Sequence, residues 1–160
     1  MKEYVYQILN LTDRFYKDYS LKEYDELLQK DKRAYNCLLI ETHFDYYICI
    51  PFRTEISHKY AYKFKHSLRS RKHNLGLDYT KMIIVKNPDY LSGKDVVIDH
   101  DEYIEVVKNI DEIVGQALDF LEEYIKWFRG ESKLSKKKYV NRYKYSTLKY
   151  FHRELGLLID

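Results

Sequence analysis

Between Tyr103 and Phe128 the apolar residues recur at intervals of three and four, and this pattern constrains the fold more than any other part of the chain. Tyr103, Val106, Val107, Ile110, Ile113, Val114, Ala117, Leu118, Leu121, Ile125 and Phe128 fall on one stripe of a helix predicted over residues 101–129, with an acidic outward face. Gly115 is placed to kink or divide that helix, and Gly130 to stop it. A helix with a single apolar stripe needs an apolar surface to cover, and a sheet built from the first hundred residues is the natural partner.

Those residues read as short strands. Residues 35–41 and 46–50 are rich in β-branched and aromatic side chains around a polar corner at 42–45, which predicts a hairpin. Residues 3–10 alternate in polarity, 60–64 form a further strand, 77–85 read as a buried strand ended by Asn87-Pro88, and 96–98 as a last short one. Thr12 or Asp13 caps a turn, Ser20 caps a short helix through Leu28 with Glu23 at the capping-box position, and residues 66–74 look like a basic loop. After the long helix, a lysine-rich linker over 132–138 leads to a final helix over 146–155. Strands first and helices afterwards predict an α+β fold with a largely antiparallel sheet, in one domain over residues 1–160.

Composition bounds the partners. No run of about 18 apolar residues is present and the N-terminus lacks the apolar core of a signal peptide, so a cytoplasmic protein without membrane contact is expected. In such a compartment Cys37 and Cys49 are expected as buried thiols. Neither has zinc-site spacing and no acidic cluster resembles a metal cage, so the expectation is no metal and no cofactor. Charge is segregated along the chain. Residues 51–88 carry nine Lys or Arg against two acids, residues 89–131 four against twelve, and residues 132–160 eight against two. Many of the 18 tyrosines are interleaved with the basic residues, as in Tyr60-Ala61-Tyr62-Lys63-Phe64-Lys65. Aromatic faces set among cations suit single-stranded RNA, whose bases stack while its phosphates are held.

One segment gathers the side chains a phosphodiester chemistry needs. After Ile48-Cys49-Ile50-Pro51-Phe52, seven residues hold Arg53, Thr54, Ser57, His58 and Lys59. A guanidinium can hold a phosphate, hydroxyls can bond its oxygens, and an imidazole can move a proton near neutral pH.

Two motifs, Ile50-Pro51-Phe52-Arg53-Thr54 and Leu75-Gly76-Leu77-Asp78-Tyr79-Thr80-Lys81, resemble segments of the type III toxin–antitoxin endoribonucleases, the ToxN, AbiQ, CptN and TenpN group. Their order and spacing, and the long helix that follows, agree with that group, and the Pro-Phe-Arg-Thr wording with a downstream Ser-His is closest to the CptN and TenpN branch. The resemblance implies a compact, strongly curved antiparallel sheet with surrounding helices, similar to the MazF and Kid toxins. It implies metal-independent cleavage of single-stranded RNA to a 2′,3′-cyclic phosphate and a 5′-hydroxyl. It further implies a small pseudoknot RNA antitoxin, processed from a repeat array and bound in a closed toxin–RNA assembly, with cellular or phage mRNA as substrate. Arg53-Thr54 stands where the ToxN pattern has a Thr-Ser pair, while Ser57, His58 and Lys59 are connected to that pattern by proximity alone.

The expected catalytic residues are therefore Arg53 as phosphate clamp, Thr54 and Ser57 as oxygen-orienting hydroxyls, and His58 as acid or base. Lys59, Tyr60, Lys63, Lys65, His66, Arg69, Arg71, Lys81, Lys137, Arg142, Tyr143 and Lys144 are the expected RNA contacts, with Tyr62 and Tyr145 as further stacking surfaces. The competing reading is a non-catalytic RNA-binding module. A DNA-binding regulator ranks last, because no helix-turn-helix pattern is present.

Overall fold

The structure is a computed structural model and describes residues 4–20, 22–27, 35–94 and 96–157. Its sheet grows from a hairpin of two apolar runs, Asn36–Glu41 (β2) and Tyr47–Arg53 (β3), which pair antiparallel with Leu39 opposite Cys49. Before the hairpin, Tyr6–Asn10 (β1) pairs with the outer edge of β2, and Asp13–Asp18 (α1) follows it. On the other edge of β3 two short strands share the work. Ile83–Val85 (β6) pairs with its first half, while Gly76–Asp78 (β5) pairs with Phe52 and Arg53 at its end. Ala61–Lys63 (β4) closes the far side against β5, so the described sheet has six strands, all antiparallel. Pro51 falls in the gap between β6 and β5, where its missing N–H leaves no ladder bond unmade on that edge.

The predicted strand over 77–85 is thus two strands, and the reason is chemical. Asp78 lies in the run and turns its carboxylate back on the chain, accepting from the Thr80 amide and hydroxyl, which winds Tyr79–Lys81 into a 3₁₀ turn. Residues 96–98 form no strand; Val96 makes a single bond to the Ile8 carbonyl. Within the predicted basic loop, Ser67 caps a short helix, Leu68–Lys72 (α2). The helix predicted from Ser20 is a pair of turns over the described residues 22–27, and Leu28 lies outside the described residues, as does Glu3 at the start of the first predicted strand.

The long helix is also divided, at Asn109 rather than at Gly115. His100–Lys108 (α3) ends where Asn109 leaves helical geometry and bonds its side-chain amide to the Glu105 carbonyl; Ile110–Phe128 (α4) then runs through Gly115 unbroken. Gly130 does stop α4. Its φ of +72° lets the Glu131 amide reach the Lys126 carbonyl and its own amide the Trp127 carbonyl, a Schellman closure. Residues 136–138, predicted as linker, are the first turn of Lys136–Tyr143 (α5), and the predicted last helix is a 3₁₀ turn, Thr147–Tyr150, followed by turns.

α4 buries Ile113, Val114, Ala117, Phe120, Leu121 and Tyr124 in the same core as the β2–β3 hairpin. Tyr103, Val107 and Phe128 of the predicted stripe stay exposed. Both cysteines are free and buried, and burial pushes the Cys37 thiol up to about 12. Among the described residues no helix is long and apolar enough to cross a membrane.

Candidate active site

Asp78 has no exposed surface, and a guanidinium from β3 and an imidazole from the segment after it reach its carboxylate. Arg53 Nη1 donates to Oδ2 at 2.9 Å, while His58 Nε2 lies 3.2 Å from Oδ1, the oxygen that also accepts from Thr80. The His58 contact is close but poorly aligned, so it counts as a close approach and not as a formed hydrogen bond. The imidazole is fixed from its other side too, because Nδ1 accepts from the Tyr60 amide at 3.1 Å. Both ring nitrogens therefore face the protein, and neither is presented to a substrate. That arrangement makes His58 a brace for the Arg53–Asp78 pair.

Arg53 retains a third of its side-chain surface and lines a cleft of about 220 Å³ at the end of β3. Thr54 stands exposed beside it. Opposite are Arg69 from α2 and Glu102 from the first turn of α3, with Phe52, Phe64 and Gly76 forming the floor. Arg69 Nη1 approaches the Glu102 carboxylate at 3.4 Å and remains 58% exposed, whereas the Glu102 side chain is only 11% exposed. Burial pushes the Glu102 carboxyl above the usual carboxylate range, with Arg69 pulling the other way. A buried carboxyl with a raised pKa, beside two guanidinium groups and a hydroxyl, is equipped to exchange a proton next to a bound phosphate.

The backbone explains why these groups meet. A Cβ on Gly76 would stand 2.3 Å from the Tyr62 carbonyl, so only glycine lets β4 lie this close to β5 opposite Arg53. Glu55 and Asn74 both hold positive φ, and their neighbourhood is tied by bonds from the Glu55 amide to the His73 carbonyl and from the Ile56 amide to that of Asn74. Behind the cleft, the buried Glu105 accepts from the Tyr62 hydroxyl and the Lys65 and His66 amides, which pins the strand leading into α2.

No family model, curated protein or solved structure matches this chain. The remaining predicted site residues are scattered. Ser57, Lys63, Lys65, His66 and Arg71 are exposed around the same end of the sheet, with Arg71 bonded to the Lys65 carbonyl. Lys137 and Lys144 are exposed on and after α5. Lys59, Tyr60 and Arg142 line a second cleft, of about 250 Å³, against α4. Three residues are placed otherwise. Lys81 is 7% exposed, with its ammonium held by Glu26 and the Tyr145 carbonyl, so it is not free to meet a phosphate. Tyr143 and Tyr62 are buried, their hydroxyls bonded to the Phe120 carbonyl and to Glu105, so neither offers a ring face to a base. Tyr145 is exposed.

Sequence reasoning missed Asp78, Glu102 and Arg69's pairing with it, although a signal existed. Asp78 interrupts an apolar run, and Glu102 precedes Val106 by four, on its own face of the helix, with Glu105 directly beside it in the chain. Acids at core positions must find partners.

Proposed function

We propose that the chain is a metal-independent endoribonuclease of the type III toxin kind, with its reaction centre in the Arg53 cleft. What supports the reading most is one observation: two guanidinium groups, a free hydroxyl and a buried carboxyl of raised pKa border one small cleft. The ribose 2′-oxygen attacks the adjacent phosphorus as its proton passes to the Glu102 carboxylate. The bond from phosphorus to the 5′-oxygen breaks, that oxygen leaves with a proton from solvent, and a 2′,3′-cyclic phosphate remains. Arg53 and Arg69 hold the charge that builds on the phosphate oxygens, and Thr54 orients one of them. Asp78 and His58 keep Arg53 in place. The wider reading follows the sequence resemblance: a strongly curved sheet of the MazF and Kid type, a pseudoknot RNA antitoxin and a closed toxin–RNA assembly in the cytoplasm.

The test is cleavage of single-stranded RNA in EDTA, with product ends identified. Glu102→Gln and Arg53→Ala are each expected to lower the rate about a hundredfold or more while the fold is retained. Near-normal rates for both variants, or a wild type that needs added metal, would sink the scheme. The closed-off imidazole of His58 favours one alternative, a module that grips RNA without cutting it, and intact RNA bound by the wild type would decide for that reading.

A further inference from the structure

We propose that the second cleft, between Tyr60 and α4, is a guanine-selective base subsite. The proposal rests on the RNA-cleaving reading above for its substrate and on separate residues for its chemistry.

The cleft is lined by Lys59, Tyr60, Gln116, Asp119, Phe120 and Arg142, together with the backbone around Ala61 and Tyr79. At about 250 Å³ it is smaller than the roughly 300–1,000 Å³ of drug-sized pockets, and a single planar base is the right scale of occupant. Its charges are unspent. Asp119 is exposed on α4, Arg142 faces it from α5, and among the described residues neither takes part in an ion pair. The Arg142 guanidinium instead lies 5.5–5.8 Å from the ring centroids of Tyr60, Phe120 and Tyr143, and its buried Nε makes no hydrogen bond. An arginine set among rings, with donor capacity left over, is a ready surface for a base to stack on and bond to.

The pairing of donors and acceptors selects the base. Asp119 offers a carboxylate, which accepts only; Arg142 and Lys59 offer donors only. Guanine alone among the four RNA bases puts two adjacent donors, N1–H and N2–H, on one edge and two acceptors, O6 and N7, beside them. Adenine and cytosine would turn a ring nitrogen lone pair toward Asp119, and uracil a carbonyl. Gln116 is held in place by the Tyr79 hydroxyl, which donates to its Oε1 at 2.8 Å, leaving one of its amide hydrogens for the ligand after the bond to Glu112. Lys59, exposed, holds its ammonium 5.5 Å from the centroid of the Tyr60 ring, at the mouth of the cleft it lines.

The two clefts are joined by one chain segment. Residues 54–59 run from one to the other, and the Tyr60 amide that binds His58 ties the base cleft to the Arg53–Asp78 pair. A guanine seated against Asp119 would therefore fix the register of the strand crossing Arg53.

Calorimetric titration of the wild type with GMP, AMP, CMP and UMP tests this without any cleavage. GMP is expected to bind about tenfold more tightly than the other three, and Asp119→Asn, a change at an exposed position, to bring GMP to the level of AMP. GMP binding no tighter than UMP, or a preference that survives in Asp119→Asn, would overturn the proposal. A guanine preference in a protein that leaves RNA intact would uphold the subsite and defeat the nuclease reading; cleavage without that preference would do the reverse.

Discussion

At the scale of single residues, the decisive fact is where carboxylates are buried. Asp78 is enclosed in the sheet, and its two oxygens are divided between Arg53 on one side and Thr80 with His58 on the other. Replacing it with asparagine keeps the shape and removes the charge, so Arg53 loses its anion and one oxygen becomes an amide nitrogen facing donors. Asp78→Asn is expected to lower stability by about 2 kcal/mol, seen as a shifted denaturant midpoint with an unchanged slope. It should also weaken cleavage, because Arg53 would be free to leave the cleft. The sequence made Arg53 and Thr54 legible, since a cation and a hydroxyl after a strand are visible as residue types. It did not make Glu102 legible as a partner, because the acidic residues around it read together as a solvated face. What separates Glu102 from Asp101 is helical phase: the one is buried with Val106 and the other is exposed. His58 is the converse case: its residue type invites an acid–base role, and only three-dimensional contacts reveal that Nδ1 accepts from the Tyr60 amide while Nε2 is turned toward the buried Asp78.

At the scale of elements, period and propensity located the hairpin, the α4 stripe and its Gly130 stop, and local polar chemistry redrew the boundaries. Asn109 ends α3 by bonding backward to Glu105, a competition with the helix that a stripe of apolar residues cannot display. Asp78 cuts an otherwise continuous β run in the same way. The closest packing in the sheet centres on Gly76, where β4 passes within a distance that no side chain allows. Because the obstructing atom is a backbone carbonyl, Gly76→Ala cannot be absorbed by a rotamer change. It is expected to cost about 3 kcal/mol and to speed amide exchange at Phe64, whose amide bonds the Leu75 carbonyl, more than at Leu39 in the hairpin. Equal exchange at both would mean that β4 is not held by this approach.

For the whole molecule, one source of acid sensitivity lies near the C-terminal end. His152 is part-buried against Phe128, and its Nε2 meets the Tyr124 hydroxyl at 2.6 Å; burial lowers its pKa below the ordinary 6.5. The unfolded chain therefore takes up this proton at higher pH than the folded one. Stability from this group is complete above about pH 6.5 and falls as the pH drops toward the lower folded value. Melting temperatures measured from pH 8 to pH 5 should decline in the wild type more steeply than in His152→Gln, and parallel curves would remove His152 from the account. A last consequence follows from the way β3 divides one edge between two partners. At Ile50 and Pro51 no described strand pairs with that edge, and the Tyr79–Lys81 turn between β5 and β6 packs beside β3 instead. The ladder is interrupted along that line, and Arg53 lies just past it. Flexing about that line would tilt Arg53 and β5 relative to β6 with no strand pair broken, giving the cleft a way to adjust its width to the nucleotide inside it.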